Sequence, residues 1–156
     1  MSDFQNIFPA TQENYAELVE VWEASVRETH DFLPEANLFF LKSLMISDFL
    51  PMVSIAYAPD EQGAIAGFVG VAEKKVEMLF IKPQNRGQGV GKTLLRYAVC
   101  ELNADCVDVN EQNPSALGFY LKQGFEVIGR SSVDGMGKPF PLLHMKLANA
   151  NFEESG

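Results

Sequence analysis

Apolar residues recur at helical spacing before residue 52 and mostly at strand spacing after it. A first amphipathic helix is predicted over residues 12–28, with Thr11 as a suitable N-cap. Its apolar face consists of Tyr15, Leu18, Val19, Trp22 and Val26. A second helix is predicted to begin at Pro34 and to end before Pro51. Its apolar face consists of Leu38, Leu41, Met45 and Phe49.

After residue 52, short apolar or alternating runs bounded by turn residues predict strands. The first two runs are separated by Pro59, Asp60 and Gly63, which is typical of a hairpin. Strands are predicted at residues 52–58, 64–73, 76–81, 106–109, 125–133 and 142–147, and two later helices at residues 90–102 and 115–123. The sequence therefore predicts a mixed α/β fold of the α+β type, with about four helices on a mostly antiparallel sheet of six to seven strands.

The length and composition suit one folding unit. The chain has 156 residues, 47% of them apolar, which is enough for a sizeable core but cramped for two domains. We found no repeat and no linker that would divide it. We therefore expect a single domain over residues 1–148 and a flexible tail over residues 149–156.

The net charge limits the kinds of partner that the chain is expected to bind. A formal charge of −9 disfavours nucleic acid and anionic lipid, because phosphate binding needs clustered Lys and Arg. Nowhere do eighteen apolar residues run together, so we expect no membrane insertion. Cys100 and Cys106, the only cysteines, have the spacing of reduced packing residues rather than of a disulfide framework. We expect a cytoplasmic protein.

The chemistry is concentrated between the third strand and the third helix. The segment there reads Arg86, Gly87, Gln88, Gly89, Val90, Gly91, Lys92 and Thr93. Glycines let the main chain turn sharply and approach a ligand, and the first N–H groups of a helix are unpaired donors at the positive end of its dipole. A phosphate group is the expected ligand. A helix-start turn that binds nothing is the less favoured alternative.

The spacing of the glycines separates the known phosphate loops. A P-loop needs a glycine where Arg86 stands, and a dinucleotide fingerprint needs G-x-G-x-x-G rather than G-x-G-x-G. The remaining pattern, R-x-x-G-x-G, resembles the pyrophosphate loop of the GNAT acetyltransferases. The segment from Asn113 to Tyr120, followed by Gly124 and Phe125, resembles the fourth-helix region of the same superfamily. Residues 29–33 and 137–143 are similar to a small bacterial branch, the YjaB-like acetyltransferases.

This resemblance covers nearly the whole chain and implies a GNAT fold, acetyl-CoA as cosubstrate, and roles for particular residues. The loop from Arg86 to Thr93 would hold the pyrophosphate, and Asn113 would contact the CoA arm. Tyr120 would face the acetyl sulfur. The backbone of Leu79, Phe80 and Ile81 would pair with the pantetheine as an additional strand, where the sheet is splayed.

Acyl transfer to an amine explains why these groups are needed. An alkylamine has a pKa near ~10.4, so its free base costs roughly 4 to 5 kcal/mol at neutral pH. Complete proton donation from tyrosine to a thiolate is uphill, so Tyr120 is expected to donate a hydrogen bond to the sulfur. Direct transfer needs neither a metal nor a covalent enzyme intermediate. Two structural roles stay open: Tyr120 as an aromatic core residue and Asn113 as a helix N-cap.

The proton acceptor is the least determined group. Glu77 alternates with Met78 on the third strand and is the candidate base, although a solvated strand position is equally consistent. His30 and Phe32, after the first helix, are candidates for the acceptor pocket. The alternative for His30 is a contact with the helix end, and the alternative for Phe32 is a place in the core of the helices. His144 alternates with its apolar neighbours in the last strand and is as consistent with a solvent-facing position as with a catalytic one.

Together these features predict an N-acetyltransferase that uses acetyl-CoA and a primary amine of a small molecule, peptide or protein. The alternatives are a non-catalytic acyl-CoA-binding or regulatory module and, less favoured, a nucleotide-binding protein. The acceptor and the length of the acyl group stay open, and a monomer or a homodimer is expected.

Overall fold

A seven-stranded sheet organises the computed structural model, which describes residues 6–29, 34–135 and 137–148. Its strands are β1 (Phe8–Pro9), β2 (Ser54–Pro59), β3 (Ile65–Ala72), β4 (Lys75–Ile81), β5 (Cys106–Asn110), β6 (Phe125–Ser131) and β7 (Leu142–Leu147). Their order in the sheet is β1-β2-β3-β4-β5-β7-β6. Among the described strands, only β4 and β5 are parallel neighbours, and every other pair is antiparallel.

The helices lie where the apolar periodicity is helical. They are α1 (Tyr15–Thr29), α2 (Glu35–Leu44), α3 (Val90–Glu101) and α4 (Pro114–Lys122). A 3₁₀ turn, Gln12–Asn14, precedes α1, and the main-chain N–H of Thr11 donates to its Asn14 side chain at 2.8 Å. A π-helical turn, Met45–Phe49, continues α2. Within the described ranges, each helix is too short or too polar to span a membrane.

The predicted fold class is confirmed. All six predicted strands and all four predicted helices are present, with ends that differ from the prediction by a few residues. The prediction missed β1, which has two residues and is too short to show an alternating pattern. It also missed the π-helical turn, since Met45 and Phe49 satisfy an α-helical spacing equally well.

Two cores lie on opposite faces of the sheet because side chains alternate along each strand. On β3, for example, Val69 belongs to one core and Phe68 to the other. We call the two sides the α3/α4 face and the α1/α2 face. The core of the α3/α4 face includes Val69, Val76, Leu94, Leu95, Ala98, Val107, Val109, Tyr120, Phe125 and Met145. The core of the α1/α2 face includes Leu18, Val19, Trp22, Leu38, Met45, Leu50, Ile55, Ile65 and Phe68.

The sheet opens between β4 and β5. These strands pair only through Lys75 with Cys106 and Val76 with Val107. Further along β4, Leu79–Ile81 continue to pair with β3 on the other side. Their main-chain groups on the β5 side therefore lie along an opening, which we call the β4–β5 gap. The predicted splay beside these residues is confirmed.

A β-bulge in β4 lies beside this gap. Val76 pairs with Val71 and Met78 pairs with Gly70, so Glu77 is the additional residue on the bulged strand. The bulge shifts the alternation, because Val76 packs in the α3/α4 core while Met78 packs against the α1/α2 core. The regular alternation that the sequence indicates around Glu77 is therefore interrupted.

Candidate active site

The loop that precedes α3 has a backbone that glycine favours. Gly87 has φ of +78° and Gly89 has φ of +83°, both in the left-handed region where other residues are strained. A Cβ atom added at either position would meet no atom within 4 Å. The two glycines are therefore required by backbone conformation, and the space beside them is open.

Main-chain donors are available where α3 begins. The first helical hydrogen bond runs from the Thr93 N–H to the Gly89 carbonyl oxygen at 3.0 Å, and the Thr93 hydroxyl donates to the same oxygen at 2.9 Å. The N–H groups of Val90, Gly91 and Lys92 precede that bond and belong to the first turn, whose donors have no helical partner. With the helix dipole, these donors make the loop suitable for an anion.

The Arg86 side chain is directed to α1. Its Nη2 donates to Ser25 Oγ at 3.0 Å, and its Nη1 forms an ion pair with Glu28. In this structure the guanidinium therefore ties the loop to α1. The predicted contact between Arg86 and the pyrophosphate stays a prediction. Gln88 and Lys92 are exposed beside the glycines.

The end of β4, the loop and α4 meet at one point. A Cβ atom at Gly91 would lie 3.7 Å from the Phe119 ring and 3.8 Å from Ile81 Cγ1, so Phe119 and Ile81 converge on the first turn of α3. Leu79 and Ile81 pack against the α3/α4 core, and Phe80 packs on the opposite face with its ring centre 5.8 Å from that of Phe68. The structure thus brings the predicted pantetheine edge and the predicted phosphate loop together.

Asn113 caps α4. Its side-chain oxygen accepts a hydrogen bond from the Ala116 N–H at 3.1 Å, and Pro114 occupies the first helical turn. The capping role that the sequence left open is confirmed. A contact between Asn113 and a CoA arm stays a prediction.

Tyr120 lies in the α3/α4 core and is only 7% exposed. Its ring makes edge-to-face contacts with Phe119, at 5.1 Å between centres, and with Phe125, at 5.7 Å. Burial raises the pKa of Tyr120 well above the usual value for tyrosine. Its hydroxyl makes no hydrogen bond to any residue in the described ranges. Tyr120 is therefore a fixed hydrogen-bond donor and a poor acid.

Glu77 occupies the bulge beside the gap. Its side chain is 40% exposed, and Oε2 lies 3.6 Å from Lys75 Nζ. The exposure agrees with either alternative for this residue, a proton acceptor or a solvated strand position. Its predicted catalytic role stays a prediction.

Four side chains form a hydrogen-bonded row across the sheet, which we call the polar row: Lys75, Asp108, His144 and Ser131. Lys75 Nζ lies 2.9 Å from Asp108 Oδ2, and Asp108 Oδ1 lies 2.7 Å from His144 Nδ1. His144 Nε2 lies 2.6 Å from Ser131 Oγ. The row crosses β4, β5, β7 and β6 in spatial order, and His144 is half-buried rather than solvent-facing.

The charges in the polar row stabilise one another. Burial alone would raise the pKa of Asp108, but hydrogen bonds from His144 and Lys75 outweigh burial and hold it below its usual value. The hydrogen bond with Asp108 raises the pKa of Lys75. Asp108 is thus a carboxylate and Lys75 an ammonium at neutral pH. The sequence analysis identified neither residue as part of a site.

The predicted acceptor-pocket residues His30 and Phe32 lie outside the described residues, as does the predicted tail at residues 149–156. The neighbouring helices carry a shallow cavity of about 170 Å³ between α1 and α2. Arg27 contacts Glu35 at 2.5 Å and Lys42 contacts Glu23 at 2.7 Å along its walls. Phe39, also in the lining, is 69% exposed.

Known proteins are similar to this chain in sequence and in fold. A family model described as "Acetyltransferase (GNAT) domain" matches residues 53–148. The peptidyl-lysine N-acetyltransferase YjaB of Salmonella typhimurium is 43% identical over 140 residues, which cover 90% of this chain and 96% of that protein.

Solved structures agree with the sequence matches. The solution structure of apo-form YjaB from Escherichia coli superposes with a TM-score of 0.79 at 41% identity, and covers 92% of this chain and 97% of its own. The PaiA N-acetyltransferase of Thermoplasma acidophilum, solved in complex with coenzyme A, shares the fold with a TM-score of 0.67 at 22% identity. That match covers 90% of this chain and 97% of the PaiA chain.

Proposed function

The chain belongs to the GNAT acetyltransferase family, and from that premise we propose that it transfers the acetyl group of acetyl-CoA to the side-chain amine of a protein lysine. The choice of lysine over a small amine or a peptide N-terminus is supported by the relative at 43% identity, a peptidyl-lysine N-acetyltransferase. The charge of −9 also favours a cationic acceptor over nucleic acid.

The described residues fit acetyl-CoA. Open space beside Gly87 and Gly89, together with the first amides of α3, suits a pyrophosphate with negative charge. The main-chain edge of Leu79–Ile81 along the β4–β5 gap suits the pantetheine amides, because its β5-side groups are not used in the sheet. We also propose that Asn113 contacts the CoA arm while it caps α4.

The proposed reaction forms one bond and breaks one. The lysine nitrogen attacks the thioester carbon, the C–N bond forms, and the C–S bond breaks to release the thiolate of CoA. A main-chain N–H of the Leu79–Ile81 edge donates to the carbonyl oxygen as it becomes negative. Glu77 receives the amine proton through water, and Tyr120 donates a hydrogen bond to the departing sulfur.

Tyr120 suits this limited role. Because burial raises its pKa, the phenol keeps its proton when the thiolate leaves, and the CoA thiol takes its proton from solvent. A donor that makes no competing hydrogen bond to the described residues is already available for the sulfur.

We propose one catalytic domain over residues 1–148, in the cytoplasm, that acts as a monomer or a homodimer and needs no metal. The acidic composition and the cysteine usage support the location and the exclusion of nucleic acid as a partner.

The loop before α3 is the observation that carries the proposal, and Gly89→Glu tests it. Glutamate would add a strained residue and a negative charge beside the pyrophosphate, so we expect CoA affinity to fall by roughly tenfold or more in calorimetry. Gly63→Glu is the matched control, because Gly63 also has positive φ, +87°, and open space at the β2–β3 turn. Equal CoA affinity for the wild type and the Gly89→Glu variant would refute the loop assignment.

A further inference from the structure

A lysine ammonium lies at the mouth of the β4–β5 gap. Asp108 directly follows Val107, the last β5 residue that pairs with β4. Lys75 is in register with Cys106, yet its Nζ lies 2.9 Å from Asp108, two residues further along β5. The Lys75 side chain therefore extends along the strands, toward the end at which they part.

This ammonium contacts carboxylates from both sides of the opening. Asp108 Oδ2 lies 2.9 Å away on β5, and Glu77 Oε2 lies 3.6 Å away on β4. Lys75 and Asp108 are on the α1/α2 face, since Val76 and Val107, their neighbours in sequence, pack in the α3/α4 core. Glu77, in the bulge, reaches the same ammonium through its contact with Lys75. Tyr120, proposed to meet the thiolate, belongs to that opposite core. An amine that approaches from the α1/α2 face and a thiolate near Tyr120 would thus lie on different sides of the gap.

We propose that Asp108 receives the ammonium group of the acceptor lysine, and that Lys75 occupies this position while the acceptor is absent. The inference rests on the proposed function and names a residue that selects a cationic acceptor. The incoming lysine has the same functional group as Lys75, so it replaces one ion pair with another of the same kind. Asp108 binds the acceptor as an ammonium before the reaction. The ammonium leaves Asp108 and gives one proton through water to Glu77, and the second proton, released from nitrogen when the C–N bond forms, passes to solvent.

His144 and Ser131 keep Asp108 in place during this exchange. His144 Nδ1 binds the other carboxylate oxygen at 2.7 Å, and Ser131 fixes the far side of the ring at 2.6 Å. Asp108 therefore stays held when Lys75 leaves. We assign His144 and Ser131 as positioning residues.

The order Ser131, His144, Asp108 is also that of a serine hydrolase triad, but the position of Ser131 argues against a nucleophile. It lies on β6, two strands beyond β5 in the sheet. Neighbouring strands are about 4.8 Å apart, so a thioester in the β4–β5 gap would be roughly 10 Å or more from the hydroxyl.

Lys75 itself is a poor acetyl acceptor. Its hydrogen bond with Asp108 raises its pKa, so the amine stays protonated and lacks the free electron pair that attack on a thioester requires. We therefore expect no acetyl group on Lys75 when the purified protein is incubated with acetyl-CoA, by mass spectrometry of its tryptic or chymotryptic peptides. Stoichiometric acetylation of Lys75 would contradict its assignment as a mere occupant.

The decisive experiment removes each partner of the ion pair and measures KM for a terminally blocked peptide with a single lysine, the best substrate of a panel. For Asp108→Asn we expect KM to rise by roughly tenfold or more, because a charge-assisted hydrogen bond to the acceptor is lost. For Lys75→Met we expect KM to fall by about two- to fivefold, because Asp108 is released from a partly exposed ion pair. Lys75→Arg, which keeps an occupant, should not lower KM.

Changes of KM in opposite directions for Asp108→Asn and Lys75→Met distinguish this role from a structural one. If the ion pair only stabilised the sheet, both variants would shift KM in the same direction, and that result or an unchanged KM in both would overturn the inference. Lys146→Met is the control, because it changes the net charge equally at an exposed β7 position and should leave KM unchanged. Calorimetry with acetyl-CoA distinguishes the two proposals. A wild-type protein that does not bind CoA, or that acetylates no peptide, would refute the proposed function and this inference with it. Normal CoA binding and turnover with same-sign shifts refute the inference alone.

Discussion

The two sides of the β4–β5 gap present different chemical groups. On the α3/α4 side, the candidate CoA-binding groups are main-chain amides before α3 and an apolar core that holds Tyr120. On the α1/α2 side, the mouth of the gap carries the charged side chains of Lys75 and Asp108, with Glu77 in contact with Lys75. Acetyl-CoA has one structure, so main-chain groups are suitable for binding it. Acceptors differ from one another, and side chains are suitable for selecting among them because a substitution can alter a side chain without changing the fold.

The largest expected effect is a loss of stability when a leucine is truncated in either core, and CoA affinity should distinguish the two cores. Leu18 and Leu94 are both fully buried, Leu18 on the α1/α2 face and Leu94 on the α3/α4 face. Truncation of either leucine to alanine should lower the free energy of unfolding by about 2 to 5 kcal/mol, as urea titration would measure. Only Leu94→Ala should also weaken acetyl-CoA binding in calorimetry, because α3 carries the loop. Equal losses of affinity in both variants would show that the two faces do not act independently.

A smaller effect is expected from Glu77→Gln on the acceptor side. The amide cannot accept the amine proton, so kcat should fall by about 10²-fold while the Kd for acetyl-CoA stays unchanged. Glu126→Gln, an exposed change of equal charge on β6, is the control. A Glu77→Gln variant with normal kcat would leave Glu77 as a solvated strand residue.

On the thiolate side, Tyr120→Phe should lower kcat by about tenfold and leave both KM and CoA affinity nearly unchanged. The fractional loss should be constant between pH 6 and 9, because the raised pKa of Tyr120 keeps the phenol protonated throughout that range. Steady-state kinetics at several pH values would test this, with Tyr57→Phe on β2 as the control. A loss that disappears at high pH would indicate proton donation rather than hydrogen bonding.

The α3/α4 side was largely predictable because its groups are consecutive in sequence. The glycines, the start of α3 and the cap at Asn113 each depend on residues within one turn of each other, so local chemistry identifies them. The side chain of Arg86 departs from this pattern, since its partners Ser25 and Glu28 lie 61 and 58 positions away in sequence.

The polar row was not predictable, because its residues are far apart in sequence. Asp108 and His144 become neighbours only through the register of β5 with β7, and Lys75 only through the short parallel pairing of β4 with β5. No periodicity in one strand reveals that register. The bulge at Glu77 was equally hidden, because residues 75–79 are consistent with an unbroken strand.

The smallest expected effect concerns Asn113, where a structural role and a proposed binding role coincide. Asn113→Ala removes the cap and should lower stability by about 1 kcal/mol. Asn113→Ser should preserve stability within a few tenths of a kcal/mol, because a serine hydroxyl also caps a helix. If the amide contacts the CoA arm, the serine variant should still bind acetyl-CoA about three- to tenfold more weakly, since one hydrogen bond is lost. Thermal unfolding and calorimetry on the same preparations would measure both quantities. A serine variant that retains full affinity would restrict Asn113 to capping α4, and the cofactor side of the gap would then depend on main-chain donors and the Tyr120 hydroxyl alone.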